Sequence, residues 1–480
     1  MFDIEYFESN RYTGRMSMGK RKRKPQQAHM WVATQDLPRS ASHPFYTRLN
    51  RVLDEADFDG YVEQLCARFY ASTMGRPSLS PGRYFRLLMV GYFEGLDSER
   101  GIAWRSTDSL SLRQFLGLQL HEAPPDHSTI SRTRRLIDVE THETVFRWML
   151  ERLAAAGLVK GKTIGIDATT LEANAALRSI VRRDTGEGYE AFLTRLAKAS
   201  GVETPTREDL ARLDRKRPKK GSNDDWMHPQ DPDARITKMK DGRTHLAHKA
   251  EHAVDLETEV VVAVTVQPAD EGDTKTVEKT ITKAAENVEQ VVPDRDGIQE
   301  LVADKGYHSN EVLEAMTDLG VRTYISEPDR GRRNWEGKQA AQDAVYGNRR
   351  RIRGARGRWL LRRRGERLER PFAHAYETGG LRRVYLRGGS NILKRILIHF
   401  GALNLGLLMR TMFGVGTPRS LQGRLHAVFV SLFAFLHTVS ANACRISHVQ
   451  SPALNGLGTP YTMVYCLNSR SPKFIFATGC

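Results

Sequence analysis

The chain has 480 residues, enough for two or three domains with real cores, and a formal net charge of +16. A charge of this size favours a polyanionic partner, nucleic acid before an acidic membrane, although it says nothing about fold. The four cysteines have neither CxxC spacing nor the density of a disulfide scaffold. This pattern disfavours a secreted protein and a zinc site, and it indicates a reducing cytosol.

The N-terminal third changes character near residue 44. Residues 1–43 contain few periodic apolar positions and the basic run Lys20–Lys24, which predicts a flexible, solvated basic arm that is able to contact phosphates. Because Met18 directly precedes that run, Met1 and Met18 are alternative starts. Residues 44–160 have apolar positions at spacings of three and four, which predicts an all-helical domain.

One helix of this domain is a candidate for DNA contact. Asp126 or Ser128 is predicted to cap it, and its first turns carry Ser, Thr and Arg, which meet phosphates and base edges in a helix-turn-helix. The candidate DNA-binding residues here are Arg132, Arg134 and Arg135. An ordinary basic helix packed on its neighbours explains the pattern equally well.

Two apolar runs further along each end on an aspartate. Thr163–Thr169 contains Asp167, and Leu301–Ala303 is followed by Asp304, with a helix predicted from about Ser309. A carboxylate at the end of a buried strand lies at a sheet edge, where ligands and metals collect. Two such aspartates and a later acid on a helix are the donors that a two-metal phosphoryl-transfer site requires, since Mg2+ prefers oxygen ligands.

The order of elements after Asp167 predicts an α/β domain with a mixed sheet flanked by helices. Strands are expected at residues 245–255, 260–267 and 321–325, with helices at 274–292 and 309–319. Residues 173–236 are rich in charge and poor in apolar runs, so they are expected to form an exposed excursion or flexible loop. Residues 391–412 are apolar and helical, and suited to packing across the sheet.

Arginine is densest between residues 349 and 370, just after the second aspartate. Like charges in such a block repel each other and need a counter-surface, for which DNA phosphates are the natural choice. The DNA-binding candidates in this block are Arg349, Arg350, Arg351, Arg363, Arg364, Arg367 and Arg370. Two acids in the same block, Glu366 and Glu369, are candidates for the third carboxylate.

Several pieces together resemble the DDE transposases of bacterial insertion sequences, over roughly residues 75–422. They are PPDHSTISRTRRLI, GIDATTLEAN, AHKAEHAVDLETEVVVAV, GDT, VADKGYHS, ERPFAH, RRVYLRG and the helical NILKR segment. The resemblance implies an RNase H-like fold for residues 161–422, in which Asp167, Asp304 and Glu369 bind two Mg2+ or Mn2+ ions. Glu366 remains the alternative third acid, because the family's arginine and lysine positions around Glu369 are Gly365 and Tyr376.

The resemblance also implies partners and further site residues. Double-stranded DNA, as transposon ends and target, would be the substrate of a homodimer in the cytoplasm at the nucleoid, with no membrane partner. Lys305, Tyr307, Arg367 and Arg370 would line the DNA path near the scissile phosphate. Two other functions stay open: a metal-dependent nuclease or resolvase without strand transfer, and a DNA-binding protein without catalysis.

The C-terminal tail, residues 423–480, shows no continuation of the family pattern and no function is predicted for it. Its apolar stretch, Leu425–Ala443, has about the length of a membrane span but carries two histidines and an asparagine. We interpret it as a buried or poorly ordered segment.

Overall fold

A computed structural model describes residues 43–71, 78–119, 121–217, 221–239, 242–329, 331 and 333–421. The basic arm, the alternative start at Met18, the apolar stretch 425–443 and the tail 423–480 lie outside these residues. So do Cys444, Cys466 and Cys480, whereas Cys66 is a buried free thiol.

The described chain begins with a helical region. Its helices are α1 Pro44–Glu55, α2 Phe58–Cys66, α3 Pro81–Glu94, α4 Glu99–Asp108, α5 Leu110–Phe115, α6 His127–Leu136 and α7 Val139–Ala155. Helix α3 is buried on nearly every face. It begins with a proline, whose missing N–H costs nothing at that position, and ends at Gly95, whose φ of 68° favours glycine. The predicted helical region is therefore present.

The remaining elements form a mixed sheet covered by helices. In chain order they are β1 Thr163–Glu172, β2 Val181–Arg182, α8 Tyr189–Ala199, α9 Arg207–Lys216, β3 Trp226–Met227, β4 Arg235–Lys238, β5 Thr244–Asp255, β6 Val261–Pro268, α10 Asp273–Val291, β7 Glu300–Ala303, α11 Asn310–Asp318, β8 Arg322–Ile325, α12 Gln339–Arg353, α13 Ala355–Phe372 and α14 Gly389–Phe413. A π-helical turn, Ala373–Thr378, follows α13.

The sheet has the strand order β6-β5-β1-β7-β8, and β4 extends the β6 side by pairing with the first residues of β5. Strands β1, β7 and β8 are parallel, whereas β5 is antiparallel to its neighbours β1, β4 and β6. Parallel strands need helical crossovers, which α10 and α11 supply. The predicted α/β fold with a mixed sheet is confirmed, and it is consistent with an RNase H-like domain.

The described part of residues 173–236 is folded and mostly exposed or half-buried, so of the two expectations the flexible loop is wrong, whereas the exposed excursion is present. Helices α8 and α9 pack together, and Trp226 is buried in a small separate apolar cluster with Ile180 and Leu246. The rings of Tyr189 and Phe192 cover Trp226 edge-on. These apolar residues are far apart in the sequence, so no periodic apolar pattern predicts this small core.

Helix α14 connects the helical region to the sheet. It packs against α7 and α3 on one side and β6 on the other, so one hydrophobic core extends through both parts. The Asn404 side chain accepts a hydrogen bond from Val261 N at 3.0 Å and donates one to Val261 O at 2.8 Å. By length and composition α14 could cross a membrane, but 89% of its apolar window is buried inside the protein, as expected for a core helix.

Glu300, the first residue of β7, is a buried junction between four elements. It accepts hydrogen bonds from Thr163 of β1 at 2.7 Å, Tyr324 of β8 at 3.1 Å and Arg356 of α13 at 2.8 Å. Burial opposes ionisation of this carboxyl, but the bonds from Arg356, Thr163 and Tyr324 outweigh it and lower its pKa to about 2. A single charged group thus holds α13 against the sheet.

Candidate active site

The pairing of β1 with β7 places the two strand aspartates side by side. Parallel pairing runs from Thr163 opposite Glu300 to Gly165 opposite Val302. Continuing that register by two residues sets Asp167 opposite Asp304. The apolar residues before each aspartate make the strands that hold them in place, because β1 and β7 are buried there.

Helix α13 brings Glu369 close to Asp167. The helix approaches β1 so closely that a Cβ atom on Gly165 would lie 2.9 Å from Cδ1 of Leu368. The next residue, Glu369, lines a cavity of about 370 Å³ together with Asp167. Glu366, one turn earlier on α13, is exposed and is not part of that lining. The structure thus brings Glu369, and not Glu366, to the first aspartate.

The three carboxylates do not converge on one point. An Arg364 nitrogen lies 3.6 Å from an Asp167 carboxylate oxygen, and Asp304 accepts a hydrogen bond from Gly306 N at 2.8 Å. Across the described ranges, no three His, Cys, Asp or Glu side chains are arranged to hold a metal ion. The donors nevertheless fit Mg2+ or Mn2+, because Asp167 is 30% exposed and faces a cavity with a second carboxylate.

Behind Asp304 lies a buried network centred on Glu251 of β5. Its carboxylate accepts hydrogen bonds from Tyr307 Oη at 2.9 Å, from Thr276 Oγ1 at 2.8 Å and from Thr280 Oγ1. Burial raises the pKa of Glu251 despite these donors, and burial together with the charge of Glu251 raises that of Tyr307 well above its usual value. The network fixes the turn that carries Asp304.

Tyr307 is completely buried, so the prediction that it lines the DNA path is wrong. Its ring fills the core and its hydroxyl is used by Glu251. The signal that was missed is Glu251 itself. An acid in the middle of the otherwise buried strand AHKAEHAVD needs a buried donor, and a tyrosine just after Asp304 is in position to supply one.

A second contact on the same side joins Lys249 to Asp273. The Lys249 ammonium lies 2.5 Å from an Asp273 oxygen and donates to Thr276 Oγ1 at 2.9 Å. Asp273 begins α10 and flanks the Asp304 turn. A Cβ atom on Gly306 would lie 2.6 Å from Asp273 Oδ2 and 3.0 Å from Asp304 Oδ1. A side chain at position 306 would therefore require the Asp273 carboxylate to move.

We expect Tyr307→Phe to lower the free energy of unfolding by about 1–3 kcal/mol, because Glu251 loses a donor while it stays buried. Thermal or urea unfolding of the full chain measures the change. Tyr346→Phe is a suitable control, since Tyr346 is 44% exposed. Equal stability of the two variants would contradict a role for the Tyr307 hydroxyl in holding the turn.

The arginines of α12 and α13 are mostly engaged with the protein. Arg349 forms a two-point ion pair with Glu327, and Arg351 donates to Thr323 O and Oγ1, both at 2.9 Å. The other partners are Glu259 for Arg367 and Arg370, Asp167 for Arg364 and the Trp359 ring for Arg363. The donors of Arg349 and Arg351 thus tie α12 to the sheet and its neighbouring loop, and DNA contact by these two arginines stays a prediction.

Several of the predicted cations are open to solvent. Lys305, next to Asp304, and Arg350 on α12 are both exposed. On α6, Asp126 caps the helix through Ser128 N at 2.8 Å, as predicted, and Arg132 and Arg135 are exposed. Arg134 is only 4% exposed and pairs with Glu99 of α4, so its predicted DNA contact is wrong.

Comparison with known proteins supplies the family. Residues 33–136 match a family described as a transposase domain (DUF772), and residues 201–405 match the transposase DDE domain. The second match contains Asp304 and Glu369, whereas Asp167 lies before it. No match was found among curated proteins. Two transposase domains in succession cover most of the chain, on a fold of the expected kind. The chain therefore belongs to the DDE transposases of insertion sequences.

Proposed function

We propose that the protein binds the terminal inverted repeats of its own element, cuts the DNA and joins the 3'-hydroxyl ends to a target. The observation that supports this proposal is that Glu369 lines one cavity with Asp167, while Asp304 directly follows the neighbouring strand β7. Extending the β1–β7 register by two residues would set Asp304 opposite Asp167, which supports a site formed by both aspartates.

The chemistry follows from these donors. Asp167, Asp304 and Glu369 would hold two Mg2+ or Mn2+ ions, which activate water or a 3'-hydroxyl and stabilise the leaving oxygen. The rest of the chain positions the donors: the Glu251 network holds the Asp304 turn, and α13 holds Glu369. Arg364 offsets the charge of Asp167, and Lys305 offers a cation beside Asp304 for the phosphate.

The proposal includes a homodimer on DNA, since two ends must be cut in concert. It also includes a cytoplasmic location, because the bacterial nucleoid lies in the cytoplasm. Residues 44–160 would contact DNA through the exposed arginines of α6, and residues 161–422 would form the catalytic domain. The net charge of +16 supports a DNA partner.

The test is cleavage and joining of DNA that carries the element's ends, with Mg2+, with Mn2+ and with a chelator. We expect cleavage and joined products with either metal and neither with the chelator. Metal-dependent cleavage without joining would support a nuclease or resolvase instead. Binding of the ends without cleavage under any metal would leave a DNA-binding protein.

A further inference from the structure

A short extended segment after the π-helical turn alternates between exposed and buried side chains. We name residues 382–387 the RRVYLR segment. Its three arginines and Tyr385 are exposed, whereas Val384 is buried. Such alternation is typical of a strand with one face in solvent. The structure leaves the exposed face of this segment uncovered in the described part of the chain.

The end of β1 holds this segment. Val384 N donates to Glu172 O at 3.1 Å, and Asn174 Nδ2 donates to Tyr385 O at 3.1 Å. Glu172 is the last residue of β1, the strand that carries Asp167. The segment is therefore attached to the same rigid strand as the first aspartate.

Three neighbouring cavities follow the segment. Arg382 lines the cavity of Asp167 and Glu369. Its neighbours Arg383 and Arg387 line a cavity of about 480 Å³. Tyr385 lines a third cavity, of about 610 Å³, together with Trp104 and with His127, the first residue of α6. The segment thus spans the surface between the carboxylates and the start of α6.

The charges along this surface are available to a ligand. Arg382 pairs with Glu377 but is 69% exposed, and Arg383 lies over the Tyr385 ring at 5.6 Å. Within the described residues, Arg383 and Arg387 form no ion pair with an acid. On α12 and α13, Arg349 pairs with Glu327, Arg356 with Glu300, and Arg367 and Arg370 with Glu259. Other arginines of these helices are exposed like those of the RRVYLR segment: Arg350, Arg353, Arg358 and Arg362.

Exposed aromatic rings accompany these arginines. Tyr385 is 43% exposed and Trp104 is 66% exposed, and both line the third cavity. Cations that follow a backbone, interleaved with aromatic rings that contact bases or sugars, are the features of a nucleic-acid track.

We propose that the RRVYLR segment is the track for the DNA backbone between the carboxylates and α6. Its arginines contact the phosphates of one strand of the element's end and lead that strand towards Asp167. This inference rests on the proposed function, which it deepens by naming the residues that guide the substrate. It adds residues 382–387 to the candidate DNA surface formed by the exposed arginines of α12 and α13.

The test is the salt dependence of binding to a labelled mixed-sequence duplex, because phosphate contacts do not depend on sequence. The test variant is Arg382→Gln, Arg383→Gln and Arg387→Gln together. Each phosphate contact contributes about 0.9 to the slope of log K against log salt concentration, so we expect the slope to fall by about two to three. Replacing the same arginines with lysine is expected to retain the wild-type slope.

The control removes three positive charges elsewhere, by Lys198→Gln, Arg207→Gln and Arg212→Gln on the exposed faces of α8 and α9. We expect its slope to match the wild type. An equal fall of the slope in both glutamine variants would mean that only the net charge matters, and it would overturn the inference. An unchanged slope in the test variant would also overturn it. If the triple variant does not fold, the single variant Arg387→Gln tests the same inference. Its slope of log K against log salt concentration is expected to fall by about one. No binding by the wild type would instead refute the proposed function.

Discussion

Glu369→Gln is expected to lower metal-dependent cleavage by about 10³-fold or more, because a metal-binding carboxylate supports several kcal/mol of transition-state stabilisation. Glu366→Gln is expected to stay within about twofold of the wild type, since only Glu369 shares a cavity with Asp167. Initial rates of strand cleavage at saturating Mg2+ measure both. The two glutamates are three residues apart on one helix, so they are a matched pair.

Two controls make this comparison specific. Duplex binding and thermal unfolding should be the same in both variants, which excludes a lost substrate contact or a misfolded helix. Asp167→Asn should behave like Glu369→Gln if the two carboxylates act together. The opposite result, an inactive Glu366→Gln and an active Glu369→Gln, would assign the third carboxylate to Glu366.

Glu300→Gln is expected to cost about 3 kcal/mol of unfolding free energy at pH 7, the equivalent of lowering the carboxyl pKa from 4.5 to about 2. A depressed pKa contributes stability above the unfolded value and loses it as pH falls through the folded value. The wild type should therefore lose this contribution between about pH 5 and pH 2, and Glu300→Gln should lose less over the same range. Urea unfolding across that range measures both curves.

The control for this experiment is Asp318→Asn, which removes an exposed carboxylate at the end of α11. It should leave the unfolding free energy within about 0.5 kcal/mol of the wild type. A Glu300→Gln protein as stable as the wild type at pH 7 would mean that dehydration of Glu300 cancels its bonds to Arg356, Thr163 and Tyr324.

The sequence predicted the sheet well because its strands are short apolar runs with clear ends. Thr163–Glu172 and Glu300–Ala303 are nearly where the patterns placed them, and α11 begins after Ser309, whose side chain caps it. Of the two residues predicted to cap α6, Asp126 and Ser128, the structure shows Asp126 as the cap. These features depend on neighbours within a few residues, which the sequence shows directly.

Contacts between distant residues could not be predicted in this way. Tyr307 and Glu251 are 56 residues apart, and Arg134 meets Glu99 on another helix. An arginine-rich helix has the same sequence pattern whether its side chains face DNA or pair with acids such as Glu327 and Glu259. The folded excursion around Trp226 was missed for the same reason, since its core forms from isolated aromatic residues.

The packing of helix α14 has a geometric consequence for the distance between the recognised DNA sequence and the cut. Because α14 shares one core with α7, α3 and β6, the start of α6 and the carboxylates of β1 and β7 cannot shift independently without opening that core. A duplex bound at α6 would therefore reach the carboxylates at a constant number of base pairs from the sequence being recognised. Suppose that base pairs are inserted between the recognised repeat and the element's edge. The cut should stay at the same distance from the repeat, and it should therefore lie inside the element's edge by the number of inserted base pairs.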